Sequence, residues 1–137
     1  MNLPRQWSGL LLLSSLFLAG GCKDENNPLN GDSPSSIVFP SSNVSYGQHV
    51  QPLFNQACAL SGCHGDGPQQ SSLSLTSYDK LMFGGTLVVV RGQPEQSMLV
   101  MRIEGRVGAR MPSVQRPLNQ NQITGIRAWI GEGAKHN

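Results

Sequence analysis

The densest chemistry in the chain lies in seven consecutive residues, Cys58-Ala59-Leu60-Ser61-Gly62-Cys63-His64. Two thiols stand close together, and an imidazole directly follows the second. Three chemistries use such a set. Each thiol can add to one vinyl group of a porphyrin; the adjoining imidazole is then held under the iron, because the thioether beside it limits where its ring can go. Two cysteines of an exported chain can instead close a disulfide. Two thiols and an imidazole can also enter a zinc site, but zinc wants four ligands, each able to reach one ion. Adjacent Cys63 and His64 chelate a single ion poorly, and the sequence holds no second cysteine pair. The usual porphyrin-attachment spacing is Cys-x-x-Cys-His. Here four residues separate the thiols, and Gly62 helps the longer loop to turn. Covalent haem on Cys58 and Cys63, with His64 on the iron, is the reading that uses all three residues without calling for a further cysteine pair.

An iron held by one histidine needs a ligand on its other side. The chain has five methionines and three histidines. Met1 falls in the leader. Met98 and Met101 accompany Leu99 and Ile103 on an expected helix, where methionine usually fills core, and Met82 is similar. Met111 differs: it lies in a loop bounded by glycine and proline, with no helical stripe to explain it. Pro112 biases it toward extended backbone. Met111 is therefore the expected sixth ligand, with His49 as the rival and His136 near a terminus expected to fray. Thioether sulfur favours ferrous iron and raises the potential relative to two nitrogens.

The third cysteine has a different setting. Arg5 gives a positive start, and the apolar stretch from Gly9 to Ala19 is shorter than the roughly 20 residues that span a bilayer. Small residues then lead to Cys22, so residues 1–21 read as an export signal. Leu18-Ala19-Gly20-Gly21-Cys22 resembles a bacterial lipoprotein box, with Ala19 where a larger aliphatic is usual. That resemblance implies lipid attachment at Cys22, and two or more acyl chains hold a protein on a membrane stably. The expected location is a bacterial membrane, facing the periplasm or the cell surface. With one cysteine for lipid and two for haem, no odd thiol remains. Residues 22–44 are rich in Asn, Ser, Pro, Asp and Gly and read as a flexible tether reaching about 25 Å, interrupted by Ile37-Val38-Phe39. Residues 45–137 form the expected domain.

The domain's elements read as helices. Val50, Leu53, Phe54 and Ala57 make one helical face; Ser45 with Gln48 suits a capping box, while Pro52 moves the regular helix start toward residues 49–51. A second helix is expected from Ser77 to Phe83, ended by Gly84-Gly85. Leu87 to Val90 should be extended. Pro94-Glu95 should open a third helix running to Gly105. Asn119 and Gln122 should cap the last, whose stripe is Ile123, Ile126, Trp129 and Ile130 and whose end is Gly131 to Gly133. Gly125 beside the stripe would let another helix approach. With so few aromatic residues for its size, a covalent porphyrin would help to fill the core.

In this setting, the segment 50–58, Ser61-Gly62-Cys63-His64-Gly65, Leu75-Thr76-Ser77-Tyr78, Arg110-Met111-Pro112 and Ile126 to Ala134 together resemble a class I, single-haem cytochrome c domain with the longer cysteine spacing. The resemblance implies an all-α cytochrome c fold with crossing first and last helices around one covalent haem c. It also implies one-electron transfer to redox protein partners, without catalysis. No pair of carboxylates, nucleophile-base set or phosphate loop argues otherwise, and no basic run argues for nucleic acid. Charged residues are only 13% of the chain, with net charge +2. Arg106, Arg110, Arg116 and Arg127 stand without intervening acids, as a rim for haem propionates or an acidic partner, or as an ordinary solvated surface. Two other functions stay open: a haem-based small-ligand sensor, and a non-haem lipoprotein closed by a Cys58-Cys63 disulfide.

Overall fold

A computed structural model of the protein describes residues 36–67 and 69–137. The expected signal segment, Cys22 and the first part of the tether lie outside the described residues. Four α-helices build the domain: α1 (Gln51–Ala57), α2 (Tyr78–Phe83), α3 (Met98–Glu104) and α4 (Gln120–Gly131). No strand occurs among the described residues, so the fold is all-α. No helix among them is long and apolar enough to cross a membrane.

Pro52 acts where expected. The chain enters through a single wide π-type turn, Tyr46–Val50, and α1 begins only at Gln51, with proline in its first turn. Ser45 caps the entry, its Oγ accepting the Gln48 amide at 3.2 Å. The Val50, Leu53, Phe54 and Ala57 face is fully withdrawn from water.

The third helix departs from expectation. Pro94–Gln96 forms a 3-10 turn, Ser97 is extended, and α3 starts at Met98. Buried Ser97 explains the break. Its hydroxyl accepts the Val90 amide at 2.9 Å and donates to the Gln93 carbonyl at 3.0 Å. A serine that bonds nearby backbone competes with the helical ladder. The same contact holds Leu87 to Val90 extended beside α3, where the Val88 carbonyl accepts the Leu99 amide at 2.9 Å.

In α4 the capping box is complete. Asn119 Oδ1 accepts the Gln122 amide at 3.0 Å, and Gln122 Oε1 accepts the Asn119 amide at 3.1 Å. The helix packs on α3 and on the 94–96 turn. Ile126, Trp129 and Ile130 join Leu53, Phe54 and Leu81 in one core. Tyr46 carries the entry turn to α4, with ring centroids 5.5 Å from Trp129 and 5.0 Å from Tyr78.

Both ends of the domain are more firmly held than the sequence suggests. Phe39 and Val44 are only 3% and 2% exposed, so packing begins before residue 45. Asn121 on α4 reads the Phe39 backbone twice, accepting its amide at 2.8 Å and donating to its carbonyl at 2.9 Å. Glu132 accepts the Asn43 and Val44 amides at 2.7 and 3.0 Å. Such side chains satisfy backbone groups that no ladder reaches. Phe39, and no helix, takes the space above Gly125. At the other end, Trp129 Nε1 donates to the Lys135 carbonyl at 3.0 Å. The Asn137 carbonyl accepts from Ser45 Oγ at 2.8 Å and from the Gly47 amide at 2.9 Å. The expected fraying at His136 is therefore not found.

Candidate functional site

Cys58 sits at the C-terminal cap of α1, its amide bonded to the Phe54 carbonyl at 2.8 Å. The chain then coils back on itself. Leu60 O accepts the amides of Cys63 and Gly65, both at 3.0 Å, and Cys58 O accepts the His64 amide at 3.1 Å. These bonds bring Cys58, Cys63 and His64 into one tight loop. A Cβ at Gly65 would lie 2.8 Å from the carbonyl oxygens of both Ala59 and Leu60, so only glycine fits after His64. Both cysteines are half-buried free thiols with no disulfide between them. Burial pushes the Cys58 thiol up to about 12, and the neighbouring Cys63 adds to the shift. Among the described residues, no group of three or more His, Cys, Asp and Glu side chains gathers as a metal cage. Among the described residues the zinc reading therefore finds no set of ligands.

The imidazole of His64 has one defined partner. Its Nδ1 lies 3.2 Å from the Leu73 carbonyl oxygen. A carbonyl can only accept, so the bond needs a proton on Nδ1, and in the neutral ring this leaves the lone pair on Nε2. Such a bond fixes both the tautomer and the ring plane of a metal-binding histidine. Leu73 is carried on a return loop that is itself tied down: Gln70 N donates to Cys63 O at 2.8 Å and Leu75 N to His64 O at 2.8 Å. Outside, Lys80 of α2 meets Asp66 at 2.6 Å, and Thr76 Oγ1 donates to Asp66 at 3.1 Å. The Lys80 bond, then the Thr76 bond, hold the Asp66 carboxyl below the usual carboxylate range.

Met111 lies on the connection between α3 and α4, as expected, and is half-buried. Its amide donates to the Arg102 carbonyl at 2.9 Å. The two loops are thus anchored separately, one to α2 and the other to α3. The rival histidines have structural work of their own. His49 Nδ1 accepts the Ser45 amide at 3.2 Å, and its ring lies 5.8 Å from that of Phe39. His136 stacks on Tyr78, with centroids 4.2 Å apart and planes within 6°.

The arginine rim is largely consumed by the fold. Arg106 bridges Glu95 at 3.2 Å and Glu104 at 2.6 Å. Arg127 contacts the same two acids, with Glu104 at 2.9 Å. Arg110 turns onto backbone carbonyls. Arg116 remains exposed. Both acids lie ahead of the arginine-rich window, so counting charge within 105–131 does not reveal the pairing. Reading the sequence likewise misses Leu73, whose contribution is a carbonyl with no side-chain signature. It also misses Asp66 and Lys80, which a folded loop brings together.

A search of curated proteins and of solved structures returns no match. Residues 61–113, under half of the chain, match the family model described as Planctomycete cytochrome C. The matched span contains Cys63, His64 and Met111 but begins after Cys58. Over that span the chain is similar to cytochrome c proteins, which supports a cytochrome c-like domain whose coarse function is haem-based electron transfer.

Proposed function

We propose that the protein is a membrane-tethered electron carrier with one covalent haem c, held by Cys58 and Cys63 and ligated by His64 and Met111. The observation that carries this reading is the His64 ring. It adjoins two free thiols, and its Nδ1 is committed to Leu73 O at 3.2 Å, which leaves Nε2 for iron. The donor set therefore fits a covalently attached haem. When bound, that group supplies the one-electron exchange at iron.

Everything else falls to the chain. Cys58 closes α1 and Cys63 closes the loop, so the two thioether positions have backbone held by hydrogen bonds. Leu73 O orients the imidazole and keeps a proton on Nδ1. Met111 offers a thioether from a loop whose amide is bonded to α3. The apolar face of α1 and the stripe of α4 keep water from the core behind the site. Cys22, as the lipid-bearing residue, would hold the protein on a bacterial membrane after export. The chain packs from about residue 37 onward, so the last part of the expected tether lies against the domain. Among the four arginines of 105–131, the pairing of Arg106 and Arg127 with Glu95 and Glu104 and the backbone bonds of Arg110 leave Arg116 as the one exposed without a partner among the described residues, open to an acidic redox partner.

The test is protein produced together with haem-attachment machinery. A low-spin c-type absorption spectrum and a haem-sized mass increment that survives denaturation are expected. Unmodified mass with no such spectrum would reject the reading. Intact mass of membrane-extracted protein tests Cys22 separately, where an unmodified thiol would remove the anchor.

A further inference from the structure

Arg110 immediately precedes Met111; although the residue is exposed, its guanidinium turns back onto backbone carbonyls. Its Nε donates to the Ile103 carbonyl at 3.0 Å, in the last turn of α3. Its Nη2 donates to the Leu118 carbonyl at 3.2 Å, one residue before the Asn119 cap of α4. The aliphatic stem lies over the left-handed Gly105 that ends α3, where an added Cβ would sit 3.2 Å from Arg110 Cβ. One side chain thus joins the exit of α3 to the entrance of α4. Beside it Met111 N donates to Arg102 O at 2.9 Å, and Arg106 ties the start of the loop through its amide to Met101 O at 2.8 Å and its guanidinium to Glu95 and Glu104.

We propose that Arg110 is a positioning residue that staples residues 105–118 closed at both ends and so holds Met111 against replacement by an external ligand. This rests on the Met111 ligation proposed above. The guanidinium suits the task because its planar fork reaches two carbonyls at once, whereas a lysine ammonium is a single mobile point. Hydrogen bonds from a charged donor to backbone acceptors are stronger than neutral ones. Loss of two half-exposed ones corresponds to a change in loop opening of roughly tenfold.

The experiment uses the haem-loaded protein with Arg110→Gln, Arg110→Lys and Met111→Ala. Two quantities are read: amide hydrogen exchange across 105–118, and the affinity of the ferric form for imidazole. Arg110→Gln should raise both about tenfold, with Arg110→Lys between it and wild type. Unchanged exchange in Arg110→Gln overturns the staple. Faster exchange with wild-type imidazole affinity overturns its link to Met111, because a purely structural arginine would lower the melting temperature without moving ligand exchange. If Arg110→Gln fails to accumulate, Arg110→Lys must show the same two increases on a smaller scale, and their absence overturns the proposal. Met111→Ala isolates the underlying ligation. Loss of the weak near-infrared sulfur-to-iron band supports it, while a persisting band overturns the ligation reading independently of anything Arg110 does.

Discussion

Gly125→Ala should destabilise the protein, and should stop doing so when Phe39 is removed. Alanine in a helix interior normally gains about 1 kcal/mol over glycine. At this position the new methyl would lie 2.1, 2.2 and 2.4 Å from Cδ1, Cγ and Cβ of Phe39. The contact involves the base of the ring as well as its edge, so rotation about one torsion does not relieve it. Phe39 must shift off α4, which strains the two Asn121 bonds to its backbone. Overpacking of this kind costs about 1–3 kcal/mol, and full ejection of the ring approaches the roughly 3–5 kcal/mol of a Phe→Ala truncation. After the helix gain is subtracted, a net loss of about 2 kcal/mol is expected. In a Phe39→Gly background all three contacting atoms, Cβ included, are gone, and Gly125→Ala should stabilise by about 0.5–1 kcal/mol. Urea denaturation of the four proteins of this cycle reads both signs. A neutral or stabilising Gly125→Ala in the parent, or equal destabilisation in both backgrounds, would refute the docking of residues 37–44 on α4.

Other consequences are accessible to similar measurements. The carboxyls of Asp66 and Glu95 are held low, first by hydrogen bonds from Lys80 and Arg127 respectively. The stability they add is present above the ordinary carboxylate pKa of about 4 and is lost as pH falls through the depressed folded values. Urea midpoints followed into acid should therefore drop more steeply in wild type than in Asp66→Asn/Glu95→Gln, and high salt should narrow the difference; parallel curves would contradict this. Asn119→Ala removes one half of the α4 capping box and should cost about 1 kcal/mol in thermal or urea unfolding. Trp129→Phe deletes the bond to Lys135 O and should cost about 1–2 kcal/mol while speeding amide exchange over residues 134–137; unchanged exchange there would show that the tail is held by other contacts.

What the sequence made legible follows from how local each signal is. The start of α1 at Gln51 with Pro52 in its first turn, the cap of α4 and the end of α2 at Gly84-Gly85 depend on residues within one turn, and all three are found. The break at Ser97 depends on a serine meeting Val90 across a loop, so the acidic and proline signals at 94–95 gave no warning. The docking of Phe39 depends on Asn121, which lies 82 residues further along the chain. The same distinction holds at the site. Cys58, Cys63 and His64 declare themselves because the proposed haem attachment would need them close together in sequence. The carbonyl of Leu73, the Asp66–Lys80 tie and the fork of Arg110 are supplied by loops whose course no periodicity encodes.

That division bears on how rigid the site is. The four helices have only 7, 6, 7 and 12 residues. Isolated helices shorter than about 12–15 residues are marginal in water, so these persist through packing of their apolar faces. The site, however, lies at the ends of α1 and α3 and on the loops beyond them, where packing is thinnest. Its tie to α2 is an exposed ion pair, and such pairs contribute about 0–1 kcal/mol. The loops bearing His64 and Met111 are therefore the parts expected to open at lowest cost, well below global unfolding. A group bonded to both Cys58 and Cys63 and ligated by both loops would link the C-terminal end of α1 to each of them. It would stabilise just those elements that hydrogen bonds alone hold weakly. The order of local stability should then reverse on haem attachment: in the cofactor-free chain the 59–76 and 105–118 segments exchange before the docked 37–44 segment, and in the loaded protein after it.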